Sequence, residues 1–240
     1  MHKCLTIKTL ALYLEYPKPN PTSKMKKFLL LCLSVLFSAG FFAQTPQSLL
    51  SAGIAQDSLG KFDKAMSNFD KAIKLKPDFA EAYNARGMCR LKRADAEQSK
   101  SQSNVWKNDE HRNAMKDITH AIELKPDYAM AYYNRSILKG DLEDQRGEIQ
   151  DLNKAIELNP SNYLAFNRRG LVRGQKGDHT GEISDYSKAI ELKPNYGEAY
   201  HNRAHAKFIM GNKEGACQDF SKAGEYDYYK SYDDIKDMCK

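Results

Sequence analysis

The chain has 240 residues, 41% hydrophobic and 28% charged, a composition that excludes intrinsic disorder and leaves room for one or two ordinary domains. Its net charge of +6 would suit a nucleic-acid binder only if the excess sat on the folded part. Residues 1–43 hold Lys3, Lys8, Lys18, Lys24, Lys26 and Lys27 against Glu15 alone. The remainder is therefore nearly neutral, and no nucleic-acid partner is expected.

That first segment reads as a leader. Met25-Lys26-Lys27 supplies a start and a positive stretch, and Phe28–Phe42 runs without a charge. The run is shorter than the roughly 20 residues that span a bilayer, and it suits the apolar part of an export signal. Residues 25–43 are thus expected to be a signal peptide cleaved between Ala43 and Gln44. Phe41 is large for its place in such a site, and Ser38-Ala39-Gly40 competes with it. Residues 1–24, broken by Pro17, Pro19 and Pro21, read as lying upstream of the true start. The expected location is periplasmic or secreted, with an uncleaved signal as the one route to a membrane.

From residue 44 onward the chain is periodic. Pro126, Pro160 and Pro194 are spaced by 34 residues, and Pro77 precedes Pro126 by 49, one period plus an insertion of 15. The same phrase precedes each proline, as in Asn153-Lys154-Ala155-Ile156-Glu157-Leu158 and Ser187-Lys188-Ala189-Ile190-Glu191-Leu192. A fixed period of this length means stacked supersecondary units. In chain order these are 46–79, 80–128, 129–162, 163–196 and 197–228. Each divides into two helices. In the third, Ala129–Gly140 and Glu148–Leu158 are expected helical, with Ile149, Leu152, Ala155 and Ile156 on one face. The proline cannot continue a helix and turns the chain. The second unit carries its insertion near 95–109, where the polar run Gln98–Asn104 predicts an exposed loop between lengthened helices. Trp106 either pins that loop or meets a partner. Residues 229–240, with Tyr232, Ile235 and Met238 on one face, predict a cap helix covering the apolar end of the array.

The period, and the small–large–small–proline pattern of Ala65, Phe69, Ala72 and Pro77 and of Ala114, Ile118, Ala121 and Pro126, resemble the tetratricopeptide repeat. The aromatic-then-small pairs Tyr83/Gly87, Tyr132/Ser136, Phe166/Gly170 and Tyr200/Ala204 add to the likeness. The resemblance implies an all-α fold, a right-handed α-solenoid of helix-turn-helix units, and a role in holding proteins or peptides. Glu148 and Glu182 depart from it by standing at a small position, which predicts adjusted packing; Gly147, Gly181 and Gly215 beside that position suggest close helix approach. The family's groove positions map onto Asn84, Met88, Leu91, Tyr133, Ile137, Asn167, Leu171, His201, His205 and Phe208. These either bind a partner, the asparagines bonding its backbone, or only pack on one another. Asn84, Asn134 and Arg168 match parts of the family's carboxylate clamp, but Met88 and Leu164 leave it incomplete.

Polar residues outside that strip read as structural. Arg86, Arg135, Arg169 and Arg203 occur in units that also have Asp117, Asp151, Asp185 and Asp219, whereas the first unit has Ala52 and Asn68. This co-occurrence predicts an ion pair within each unit, since a buried arginine without a carboxylate is costly; an anion-binding ladder is the alternative. In an oxidising compartment Cys217 and Cys239 are candidates for a disulfide, leaving Cys89 unpaired. His201 and His205, one turn from Glu198, have zinc spacing but no third strong ligand nearby, so neither metal nor cofactor is expected. No catalytic constellation is present in the sequence, and the chain reads as a non-enzyme. The function expected is a binding scaffold at the cell envelope; the alternative is a chaperone-like or regulatory subunit whose partner carries the chemistry.

Overall fold

A computed structural model describes residues 44–98, 104–228 and 238–239. The readings of the leader, of the polar run in the insertion, of the Trp106 side chain and of most of the cap lie outside the described residues. Ten α-helices are found among those described: α1 (Pro46–Ser58), α2 (Phe62–Leu75), α3 (Ala80–Gln98), α4 (Asn104–Leu124), α5 (Ala129–Asp141), α6 (Gln145–Leu158), α7 (Tyr163–Gln175), α8 (His179–Leu192), α9 (Gly197–Ile209) and α10 (Lys213–Glu225). Each odd helix packs on the even helix that follows it, and each even helix packs on the next odd one. The result is an all-α solenoid of helix-turn-helix units. The helices on either side of the insertion, α3 and α4, are the longest of the ten. No helix among the described residues is long and apolar enough to cross a membrane.

Local chemistry sets the helix ends. Thr45 and Ser48 form a capping box that brackets Pro46, which has no N–H to leave unpaired at a first helical position. At the other end of the second helices, the residue before each proline is extended: Lys76, Asn159 and Lys193 have φ near −140°. Helix α6 starts at Gln145, three residues before the expected Glu148, and Asp144, Asp178 and Asn212 cap α6, α8 and α10. Each cap side chain accepts from the N–H of Gly147, Gly181 or Gly215 at 2.9 Å. This corrects the reading of those glycines. They lie in the first helical turn, and a Cβ on any of them would meet its own cap residue first; on Gly147 it would also meet the Lys139 side chain of the preceding helix.

Close approach occurs instead at Gly140 and Gly174, one period apart on first helices. A Cβ on Gly174 would come within 2.5 Å of the Glu182 carboxyl group, and one on Gly140 would collide with Glu148 and Arg168. The same two places are Leu91 and Ala114 in the second unit, and Phe208 and Ala216 in the last. A larger side chain on one helix is thus matched by a smaller one on the other, and this is how the packing adjusts. The buried glutamates keep partners: Arg168 Nε donates to Glu148 at 2.6 Å, and the Tyr186 hydroxyl donates to Glu182 at 3.3 Å.

Ion pairs join the two helices of a unit. Arg86 meets Asp117, Arg135 meets Asp151, Arg169 meets Asp185 and Arg203 meets Asp219, each through two bonds of 2.6 to 2.9 Å. A second cation one turn later on the first helix closes on the same carboxylate: Arg90 at 3.2 Å, Lys139 at 2.8 Å, Arg173 at 2.9 Å and Lys207 at 2.7 Å. Three of the arginines also reach back to the preceding unit, to Asp70, Asn153 and Ser187. Each guanidinium lies 5.4 or 5.5 Å from the aromatic ring three residues before it, Tyr83, Tyr132, Phe166 or Tyr200. The Asp151 hydrogen bond holds the Arg135 guanidinium above its ordinary pKa.

Two outcomes follow from this packing. Asp185→Ala leaves Arg169 and Arg173 without their buried counter-charge and is expected to cost about 3 kcal/mol in urea unfolding. Asn153→Ala removes only the backward contact and should cost less than about 1 kcal/mol; equal costs would remove the carboxylate from its central place. Gly174→Leu should destabilise by about 1 to 3 kcal/mol through overpacking, and adding Glu182→Ala should recover most of the lost melting temperature by recreating the Leu91–Ala114 arrangement.

Candidate functional site

The first helices place one row of side chains at a common position: Ile54, Met88, Ile137, Leu171 and His205, each one period from the next. Four of the five are apolar. Ile54 is 51% exposed and Leu171 36%, while Met88, Ile137 and His205 are half-buried. Beside this row stand Met130, 44% exposed, half-buried Leu164 and Tyr133, and exposed Phe208. Burial keeps the Tyr133 phenol protonated beyond its usual range. Ile54 and Met130 were missed in the sequence, although stepping back one period from Met88 would have found Ile54.

The remaining expected groove residues are withdrawn from the surface. Asn84, Leu91, Asn167 and His201 are buried. A buried amide must find partners inside the protein, and the adjacent first helices supply them. Asn134 Nδ2 donates to Asn84 Oδ1 at 2.9 Å, and Asn84 Nδ2 donates to the Tyr128 hydroxyl at 3.4 Å. Asn202 Nδ2 donates to Asn167 Oδ1 at 3.3 Å, while Asn167 Nδ2 donates to Tyr196 and Glu198. These asparagines tie neighbouring units together, which corrects the expectation that they reach for a partner's backbone. Leu91 lies in the same buried cluster as Ala114 and Ile118. Asn84, Asn134 and Arg168, the partial clamp, are engaged with Asn134, Asn84 and Glu148 respectively.

Polar groups near the row are satisfied internally. Lys125 bonds Glu81 at 3.0 Å, and Glu198 accepts from Asn167 at 3.1 Å and from the Tyr196 hydroxyl at 3.0 Å. Burial, together with the charge of Glu198, raises the Tyr196 pKa, so the phenol stays a donor. The face therefore offers apolar surface among satisfied polar groups.

His201 and His205 pack ring against ring at 4.6 Å and lie on Phe220 at 5.7 and 4.9 Å. Tyr228 stacks on His201 at 4.7 Å. The pair thus belongs to an aromatic cluster, and no group of three metal-ligating side chains is found among the described residues. Cys217 and Cys239 are joined in a disulfide. Cys89 is a buried free thiol, pushed up to about 12 by its burial and by the nearby charge of Asp57.

Family comparison fits this geometry. A tetratricopeptide repeat model matches residues 129–162, 163–196 and 197–228, and a second model, described as TPR repeat, matches 58–89. No curated protein matches the chain. Among solved structures it is similar to MamA, at 25% identity and a TM-score of 0.55, over 75% of this chain and 96% of that one. It is also similar to YrrB, described as a TPR protein with an unusual peptide-binding site, at 18% identity and a TM-score of 0.57, over 79% of this chain and 91% of that one. PilF of Pseudomonas aeruginosa matches at 16% identity and a TM-score of 0.66, over 75% of this chain and 76% of that one. The matched repeats together span more than half of the residues, and the chain belongs to the tetratricopeptide repeat family.

Proposed function

We propose that this chain is an exported interaction scaffold of five units that holds a peptide segment of a protein partner against its first helices at the cell envelope. The observation that carries the reading is the row Ile54, Met88, Ile137 and Leu171, one apolar side chain in each of the first four units and none of them fully buried. Apolar side chains desolvated on contact are what interface hot spots are made of. The row crosses successive first helices, so it suits a segment that lies across them and offers an apolar group to each. The description of YrrB as carrying a peptide-binding site supports the same use of a related fold. The leader of residues 25–43 supports export.

The test is recovery of partners from an envelope fraction with the intact chain and with Tyr133→Asp and Leu171→Asp. The expected result is at least a tenfold loss of the recovered partner, about 1.4 kcal/mol of affinity, with helix content unchanged by circular dichroism. Recovery equal to that of the unaltered chain would sink the reading. Export is checked separately: the N-terminal residue of the mature protein is expected to be Gln44, and a chain found only in the cytoplasm would remove the envelope from the proposal.

A further inference from the structure

The position that Met130 and Leu164 hold beside the row is taken in the last unit by Glu198, one period after Leu164. It lies in the first turn of α9 and is half-buried. Its carboxylate accepts from Asn167 Nδ2 through one oxygen, at 3.1 Å, and from the Tyr196 hydroxyl through the other, at 3.0 Å. Both donors are neutral. Among the described residues no lysine, arginine or histidine lies within ion-pair distance of this carboxylate.

Elsewhere the array pairs a carboxylate at this position. Glu81 holds the same place in the second unit, and Lys125, on the turn that ends that unit, bonds it at 3.0 Å. In the last unit the residue in the register of Lys125 is Asp227, an exposed acid. Lys193 holds that register in the fourth unit, where Leu164 stands in the place of Glu81. It turns instead to the Tyr163 hydroxyl at 3.1 Å and lies over the Tyr163 and Tyr196 rings, at 4.6 and 5.1 Å. The charge of Glu198 is felt across the face: burial raises the Tyr196 and Tyr133 phenols, and Glu198 adds to both. Tyr133 is on α5, two units away, so this charge bears on three successive first helices. A half-buried carboxylate met only by neutral donors complements a cation brought by a partner, and the attraction strengthens as the contact excludes water.

We propose that Glu198 selects the occupant of the row: a peptide segment with a lysine or arginine side chain where it meets the last unit, beyond the apolar groups that meet Ile54, Met88, Ile137 and Leu171. This rests on the reading of the row as a peptide-holding face and adds the charge of what it holds. Each Glu198 oxygen has accepted one hydrogen bond and can accept a second. An ammonium or guanidinium therefore docks without displacing Asn167 or Tyr196.

Selection of a random peptide library on the full chain tests the proposal. Peptides recovered on the unaltered chain should be apolar and enriched in lysine or arginine. On Glu198→Gln the apolar enrichment should remain and the basic enrichment should vanish, with circular dichroism and melting unchanged. A recovered peptide is then synthesised with its basic residue and with norleucine in its place. The basic form should bind the unaltered chain about tenfold more tightly, and the two should bind Glu198→Gln equally. Basic enrichment that survives Glu198→Gln, its absence on the unaltered chain, or enrichment in acids drawn to Lys193 would overturn the proposal and leave the row as a peptide-holding face. Recovery of no apolar peptide, or recovery indifferent to Leu171→Asp, would remove the row and the proposal together. Should Glu198→Gln lose its fold, Glu198→Leu, which repeats Leu164 of the preceding unit, takes its place with the same expected outcomes.

Discussion

A carboxylate shared by two cations is the fixed point in each unit from the second to the last. Asp151 is reached by Arg135 and Lys139, and Asp185 by Arg169 and Arg173, with the aspartates almost wholly buried between their helices. Taking such a group out of water is costly unless its partners arrive in good geometry. Two cations one turn apart on a single helix provide that geometry, and they set both the rotation and the height of one helix against the other. The backward bonds of Arg86, Arg169 and Arg203 carry the same alignment across to the preceding unit. The apolar contacts can then settle into one register along the array.

Once that register is set, the row on the first helices follows from it. The row Ile54, Met88, Ile137 and Leu171 lines up because its members occupy the same position in helices that are stacked at one offset. The amides beside the row are drawn inward by the same stacking: Asn84 and Asn167 sit where neighbouring first helices meet, and they are satisfied there. A polar group that one helix would leave facing water becomes an inter-unit tie when the next helix covers it. The row is left apolar, which suits recognition by shape and desolvation.

The two ends are where the repeat stops supporting itself. Within the array every second helix lies under a following first helix; at α10 that cover comes from Met238 and Cys239. At α1 the exposed side is built from Ser51, Ala52 and Ala55, too small to leave much apolar surface in water. Solenoids need such treatment because each unit is stabilised by its neighbours rather than by a core of its own.

Much of this was legible in the sequence because it depends on period alone. The prolines at 34-residue spacing, the alternation of small and large apolar residues, and the co-occurrence of Arg135 with Asp151 and of Arg169 with Asp185 are properties of the string, and they point to stacked helix pairs with an ion pair in each unit after the first. What needed the tertiary structure was every question about a third helix. Whether Asn84 or Asn167 faces a partner or a neighbour depends on where the next first helix lands. Whether Gly147 marks close packing or a cap depends on the turn before it, and Asp144 makes it a cap. Whether Gly140 is needed depends on Glu148 lying across from it. Periodicity tells which face of a helix is apolar; only the stacked array decides what that face touches, because burial is a property of neighbours and not of the residue.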